Sequence, residues 1–311
     1  MPSLKEIKER IASVNSTLKI TSAMKMVASA KLRKAQTAIG NMVPYQQRLN
    51  RILVDLMNSP EKAPGKSSLT PVEEGDISSF AVNRDVRSVA LVCFSSNSSL
   101  CGGFNANAIR EATKVVKEYA AAGVNVTVYS VGKKMADAMR KLGYPSPADY
   151  TKMSANPSYE AAAALGQELR DSFLSGKYDK VELIYNHFKS TSSQPTVRDT
   201  YIPLTLGSAA AELASSKGAK KEGAKPREID FIVEPDRDTQ ISLLFPKVML
   251  LKVYTVLLDT VAAEHAARTV AMQTATDNGN ELLSELTLEY NKGRQQKITT
   301  DLLDMESGSS E

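Results

Sequence analysis

Residue constellations that could do covalent chemistry are thin in this chain, beginning with its thiols and imidazoles. There are two cysteines, Cys93 and Cys101, and two histidines, His187 and His265. Either thiol with His187 would make a nucleophile and its base. Cys93, however, falls within Val89-Ala-Leu-Val-Cys-Phe94, where a thiol is ordinarily an inert small hydrophobe. The histidines stand far apart in different elements, without metal-ligand spacing, so no metal and no cofactor is expected. No Gly-x-x-x-x-Gly-Lys-[Ser/Thr] occurs, nor a Gly-x-Gly-x-x-Gly after the first apolar run. One stretch could seat a ligand, Leu100-Cys101-Gly102-Gly103-Phe104-Asn105, at a strand's carboxyl end and a helix's amino end. The same residues also read as a tight strand-to-helix turn that uses glycine's conformational freedom.

Charge offers a second handle. Within residues 1–57, ten Lys or Arg face only Glu6, Glu9 and Asp55. Such a basic stretch is either a solvated helix face or a surface for nucleic acid, anionic lipid or an acidic protein partner. No aromatic residue precedes Tyr45, which argues against stacking on single-stranded bases. Two cysteines fit a reducing compartment without a disulfide framework. The run Val248 to Ala263 is broken by Lys252 and Asp259, so no transmembrane helix is expected. Met1-Pro-Ser-Leu-Lys-Glu-Ile7 leads straight into a periodic pattern, and neither a signal nor a transit segment is expected.

The elements that carry these residues are long. From Leu4, steps of seven give Leu4, Ile11, Leu18, Lys25, Leu32, Ile39, Gln46 and Leu53; from Ile7 they give Ile7, Val14, Thr21, Ala28, Ala35, Met42, Leu49 and Leu56. Thirteen of these sixteen positions are apolar and the alternating spacing never slips, which predicts a coiled-coil seam over 1–58. Such a helix would run roughly 80 Å and needs a partner. Gly40 and Pro44 predict a bend within it, not an end. Residues 59–78 read as a linker. Between 79 and 235, strands at Val89–Phe94, Val124–Val128, Val181–Tyr185, Thr196–Leu204 and Ile229–Val233 alternate with helices, with 207–228 as a mobile loop. Asn105 is placed to cap the first of those helices. From 236 to 311 the pattern is helical again, with the alanines Ala262, Ala263, Ala266, Ala267, Ala271 and Ala275 letting a second helix approach closely. The fold class is therefore α/β plus long helices: an antiparallel two-helix coiled coil from the terminal helices, carrying an inserted Rossmann-like α/β domain.

Several segments resemble one family, the gamma subunit of F-type ATP synthases. They are Ile11-Ala-Ser-Val-Asn-Ser-Thr-Leu-Lys-Ile-Thr-Ser-Ala-Met-Lys-Met-Val-Ala28 with Lys31, Arg33 and Lys34; Leu100-Cys-Gly-Gly-Phe-Asn105; Ala266-Ala-Arg-Thr-Val-Ala-Met-Gln-Thr-Ala-Thr-Asp-Asn-Gly279; and Tyr290-Asn-Lys-Gly-Arg-Gln-Gln-Lys-Ile-Thr299. The terminal signature departs modestly, reading Ile298-Thr-Thr-Asp301, Asp304 and Gly308-Ser309 where the family has Glu, an acidic residue and Gly-Ala. The chloroplast-type insertion with a regulatory cysteine pair is absent.

The resemblance implies a non-catalytic central rotor shaft, one copy serving three alpha–beta pairs. The membrane ring of c subunits and the epsilon subunit meet its lower end. Proton flow turns ring and shaft together, and ATP is made at the beta sites. It further implies that Met24 and Lys25 face the moving lobe of beta, and that Arg268, Gln295 and Thr299 lie on the coupling face of the carboxyl-terminal helix. Leu100, Cys101, Gly102 and Gly103 are the family motif of the α/β domain. The implied location is peripheral, on the cytoplasmic face of a bacterial inner membrane, with the mitochondrial matrix side as the lesser alternative. The competing reading is a basic coiled-coil protein that binds nucleic acid or acts as a scaffold, and a third is an α/β enzyme on a helical stalk.

Overall fold

The structure is a computed structural model and describes residues 3–58, 85–203, 233 and 237–308. The expected linker 59–78, the loop 207–228 and the strand at Ile229–Val233 lie outside the described residues, Val233 excepted.

Helix α1 spans Leu4–Asn58 and runs unbroken through Gly40 and Pro44. Its start is a capping box: the Ser3 N–H donates to Glu6 Oε2 at 3.0 Å, and the Glu6 N–H donates to Ser3 Oγ at 3.3 Å. The sixteen heptad positions are all buried or half-buried, Lys25 and Gln46 included. Their partner is helix α6, Arg237–Gly308, which contains Pro246. Register follows from close approaches. A Cβ added to Gly293 would lie 3.1 Å from Leu4 Cδ2, and one added to Gly279 would lie 2.7 Å from Leu18 Cδ2. The hydroxyls of Thr21 and Thr276 share a hydrogen bond at 3.0 Å. Numbers rise along one helix as they fall along the other, so the coil is antiparallel. At the two glycines a leucine tip rests close to the facing backbone, and a Cβ there would make that leucine shift.

The α/β domain is built on four strands, β1 (Ser88–Phe94), β2 (Asn125–Val131), β3 (Lys180–Asn186) and β4 (Thr196–Ile202), in the order β2-β1-β3-β4. The first three are parallel, and β4 is an antiparallel edge strand. The connecting helices are α2 (Phe104–Ala121), α3 (Lys133–Lys141), the short α4 (Thr151–Ala155) and α5 (Tyr159–Leu174). Central strand β1 alternates between two cores, as a strand covered on both faces must. Val89, Leu91 and Cys93 point to α2 and α3, packing with Ala108, Ala112, Val115, Met135 and Met139. Ala90, Val92 and Phe94 point the other way, into a core completed by Leu165, Leu169 and Phe173 of α5 and by Ile241, Phe245, Met249 and Val253 of α6. Leu53 and Leu56, at the end of α1, join that core.

Helix α6 is thus shared. Its first half covers the sheet, and its second half forms the coil with α1. An 18-residue window within it is apolar enough by composition to cross a membrane, but 56% of that window is buried inside the protein.

The seam yields a direct test. Leu32 packs with Ala35, Val261, Ala262 and Ala266. Leu32→Asp is expected to destabilise the chain by about 3 kcal/mol or more, because it places an unpaired charge in that cluster. Thr17→Asp, on the exposed face, should stay within about 0.5 kcal/mol. Equal effects in thermal or denaturant unfolding would contradict the seam.

Candidate functional site

Polar ties run along α6 where it crosses the α/β domain. The Tyr201 hydroxyl donates to the Met249 carbonyl at 3.1 Å. Lys252 pairs with Asp199 of β4 at 2.9 Å. Asp259 receives the Phe188 N–H at 3.0 Å and lies 2.6 Å from His187 Nδ1, just past the end of β3. Farthest along, Arg268 reaches the turn between β1 and α2. Its Nη1 donates to the Ser99 carbonyl at 2.6 Å, and its Nη2 to Ser98 Oγ at 2.8 Å and to Glu264 Oε1 at 2.7 Å. The spacing of Glu264 and Arg268 puts them on one helical face, and both are largely buried.

The turn that Arg268 grips is itself wired to the sheet. Asn105 does not cap α2; the helix starts at Phe104, with Gly103 as its cap residue. The Asn105 amide instead braces the turn, accepting from the Ser96 N–H at 3.0 Å and donating to Ser96 Oγ at 2.9 Å and to Cys101 Sγ at 3.1 Å. Ser96 Oγ donates to the Ser98 carbonyl at 2.6 Å. Gly102 takes a left-handed φ of 57° and abuts Ala271 of α6, where an added Cβ would sit 3.8 Å from that residue's own. Leu100 is also left-handed, at φ 66°, and is 59% exposed, whereas Cys101 is buried. Gly103, at φ −77°, has no such demand on its type.

The arrangement brings Arg268 and the Leu100–Gly103 motif together. It keeps the other singled-out residues apart from them: Met24 and Lys25 are half-buried on α1, and Gln295 and Thr299 are exposed on α6, beyond the point where Leu4 meets Gly293. The Thr299 hydroxyl turns back to the Gln295 carbonyl at 2.9 Å. Glu264 and Ser98 were not singled out by sequence; His187 was considered only as a base for a cysteine, and Asp259 only as a break in an apolar run. The i, i+4 acid–base spacing of Glu264 and Arg268 was the available signal; the partners on the turn had none.

Burial, and then the charge of Glu182, push the Cys93 thiol far above its ordinary value, which keeps it protonated. His187 and Asp259 are a base and its orienter, yet among the described residues no serine or threonine hydroxyl hydrogen-bonds to that ring. Among the described residues no three His, Cys, Asp or Glu side chains converge as metal ligands.

Ionisation differs between the two histidines. The hydrogen bond that His187 donates to Asp259 raises its pKa despite partial burial and the opposing charge of Lys189. Burial, with Lys31 and Arg268 adding to it, lowers His265 to about 4. Burial also raises Glu264, although Arg268 and Lys31 pull the other way.

Two terminal helices closed into a coil with an inserted α/β domain define the class of this chain, and its relatives place it in a family. A family model described as ATP synthase matches residues 3–310. The chain is 51% identical over 310 residues to the ATP synthase gamma chain of Phocaeicola vulgatus, covering 99% of each. It is 49% identical to that of Bacteroides fragilis, again covering 99% of each, and 37% identical to that of Flavobacterium johnsoniae, covering 99% of this chain and 98% of the relative. Solved structures share the fold. A chain of the Euglena gracilis mitochondrial ATP synthase rotor aligns with TM-score 0.59 at 18% identity, over 95% of this chain and 98% of that one. A chain of the Tetrahymena thermophila mitochondrial ATP synthase central stalk and c-ring aligns with TM-score 0.55 at 23% identity, over 82% and 99%. The chain belongs to the ATP synthase gamma chain family. The nucleic-acid or scaffold reading finds no support among these relatives.

The opposite shifts of the histidines predict opposite pH dependences. His187 contributes stability that is fully present below about pH 6.5 and is lost as pH rises through its raised folded value. His265 costs stability as pH falls from about 6.5 towards its folded value of about 4, because the unfolded chain then binds the extra proton. NMR titration should give one imidazole above the ordinary range and one far below it, and His187→Ala should remove the first along with the alkaline loss of stability. Two rings titrating together near pH ~6.5 would contradict both contacts.

Proposed function

We propose that this chain is the central rotor shaft of an F-type ATP synthase, coupling proton-driven rotation of a c-ring to ATP synthesis or hydrolysis at beta-subunit sites. The observation that carries the reading is the single antiparallel register of α1 and α6, in a member of the gamma chain family. Torque needs an element that resists twist, and two helices locked by knobs and holes resist it better than one. An axle turning past several partners also needs contacts without deep aromatic anchors, and this chain contains no tryptophan.

The chain itself performs no chemistry in this reading; it is a peripheral subunit on the cytoplasmic face of a bacterial inner membrane. It operates as one unit from the end of α1 to the tip of α6, with 1–58 and 236–311 as the coil and 79–235 as the domain. Met24, Lys25, Gln295 and Thr299 meet the beta subunits, with Arg268 bracing the helix behind them. Exposed apolar residues flank both pairs. Ile20, Met26 and Val27 surround Met24 and Lys25, and Ile298, Leu302 and Met305 surround Thr299, all more than half exposed or close to it. Apolar side chains that face water in clusters mark surfaces a partner covers. Alpha and beta subunits cover the upper coil; the c-ring and epsilon subunit meet the α/β end.

Magnesium-dependent ATP hydrolysis by purified alpha and beta subunits, with and without this chain, tests the reading. The chain alone should be inactive. Added to three alpha–beta pairs, it should form a stable one-copy complex and raise turnover sharply. Met24→Lys should assemble but lose coupling between rotation and catalysis. A chain that forms no complex, or that turns over a substrate alone, would overturn the reading.

A further inference from the structure

Apolar packing holds the α/β domain against α6 but does not fix it against twist, because the hydrophobic contact is non-directional. Short charge-assisted hydrogen bonds do fix direction. Among the ties along α6, that of Arg268 differs in kind. Lys252 reaches edge strand β4, and Asp259 reaches the segment just after β3. Arg268 reaches the turn that leaves β1, the strand flanked by β2 and β3 at the centre of the sheet. Ser96 and Asn105 stiffen that turn by the bonds described above, and Gly102 seats it against Ala271. Glu264 holds the guanidinium from its own helix, one turn away. One connected path therefore runs from the central strand through the turn and Arg268 to α6, the helix that pairs with α1 in the coil.

We propose that Arg268, oriented by Glu264, is a positioning residue that transmits torque within the chain, from the α/β domain to the coiled coil. A planar guanidinium that spends Nη1 on a backbone carbonyl and Nη2 on a hydroxyl and a carboxylate cannot rotate without breaking one of them. The bond to the Ser99 carbonyl matters most, since a backbone acceptor moves only with the turn itself. Lysine keeps the charge but has no fork, so it can satisfy only part of this set. The role rests on the shaft reading and goes beyond it: the coupling function of Arg268 is exercised inside this chain, not on a beta subunit.

The test uses the complete membrane complex in sealed vesicles, carrying Arg268→Gln, Arg268→Lys, Glu264→Gln or Ser98→Ala. The readout is protons pumped per ATP hydrolysed, measured as the opposing proton gradient grows. The unaltered chain must pump; if it does not, the shaft reading fails and not this inference. With Arg268→Gln the ratio is expected to fall about fivefold, with the deficit widening under load because a loosened joint twists more as torque rises. Arg268→Lys should recover part of the loss, and Glu264→Gln should fall between. A merely structural role would lower assembly or thermal stability and leave the ratio of assembled complexes unchanged at every load; that result overturns the proposal. Should Arg268→Gln fail to assemble, Ser98→Ala removes one bond of the set and should still show the load-dependent loss. An unchanged ratio in Ser98→Ala and Glu264→Gln together would overturn it as well.

Discussion

The structure depends on one helix being claimed from two sides. Over Ile241–Met272, α6 is buried almost all round, with the sheet and α5 on one flank and α1 on another. A helix in that position cannot present a single apolar stripe. It is largely apolar, and apart from exposed Lys247 the charges it keeps, Lys252, Asp259, Glu264 and Arg268, each find a partner. Past Met272 its neighbour among the described residues is α1, and from Thr276 onward the burial pattern narrows to Thr276, Gly279, Leu283, Leu286, Tyr290 and Gly293. That change from a broad buried surface to a seam marks where domain ends and shaft begins, within one continuous helix.

From this sharing follows the mechanical character of the molecule. A domain attached by a flexible linker could swivel about its tether. Here the covering helix of the domain is itself a strand of the coil, so a rotation of one is a rotation of the other, provided that the joint resists shear. Polar ties at Met249, Lys252, Asp259 and Arg268 supply that resistance over about five turns of helix. Elsewhere in the domain, a separate cluster fastens β3 to β4 and α2. Burial opposes ionisation of Glu182, but the bonds from Arg198 and Lys180 hold it below the ordinary carboxylate range. That cluster, like the joint, places its charges where strands must not slip.

Much of this was legible in the sequence because it is periodic. The heptads of α1 report burial directly, and the alternation of apolar runs with helical segments gives a parallel sheet without any knowledge of contacts. Lys25 is a charged residue at a seam position, yet it is half-buried like its neighbours there, one turn from the Thr21–Thr276 pair. What sequence could not carry were contacts made between distant elements. Arg268 meets Ser98 and Ser99 across about 170 positions of chain, and no local pattern encodes such a meeting. Asn105 misled for the opposite reason. Its type suits a cap, but Ser96 and Cys101 offered its amide better partners, and the cap falls two residues earlier, at Gly103. The Ser3–Glu6 capping box was present in the sequence and went unread. The antiparallel edge strand β4 was expected only as one more strand, since direction is set by where the chain comes back, not by composition.

The central claim is that the two terminal helices turn as one body. Thr21→Cys combined with Thr276→Cys tests it, since the native hydroxyls are 3.0 Å apart and thiols there can close a disulfide. In the assembled complex, oxidation should form the bond readily, and ATP hydrolysis and proton pumping should match those of the reduced sample. Failure to form the bond would contradict the register. Activity lost on oxidation and restored by reduction would mean that the helices must slide past each other, and the account of a single rigid shaft would be wrong.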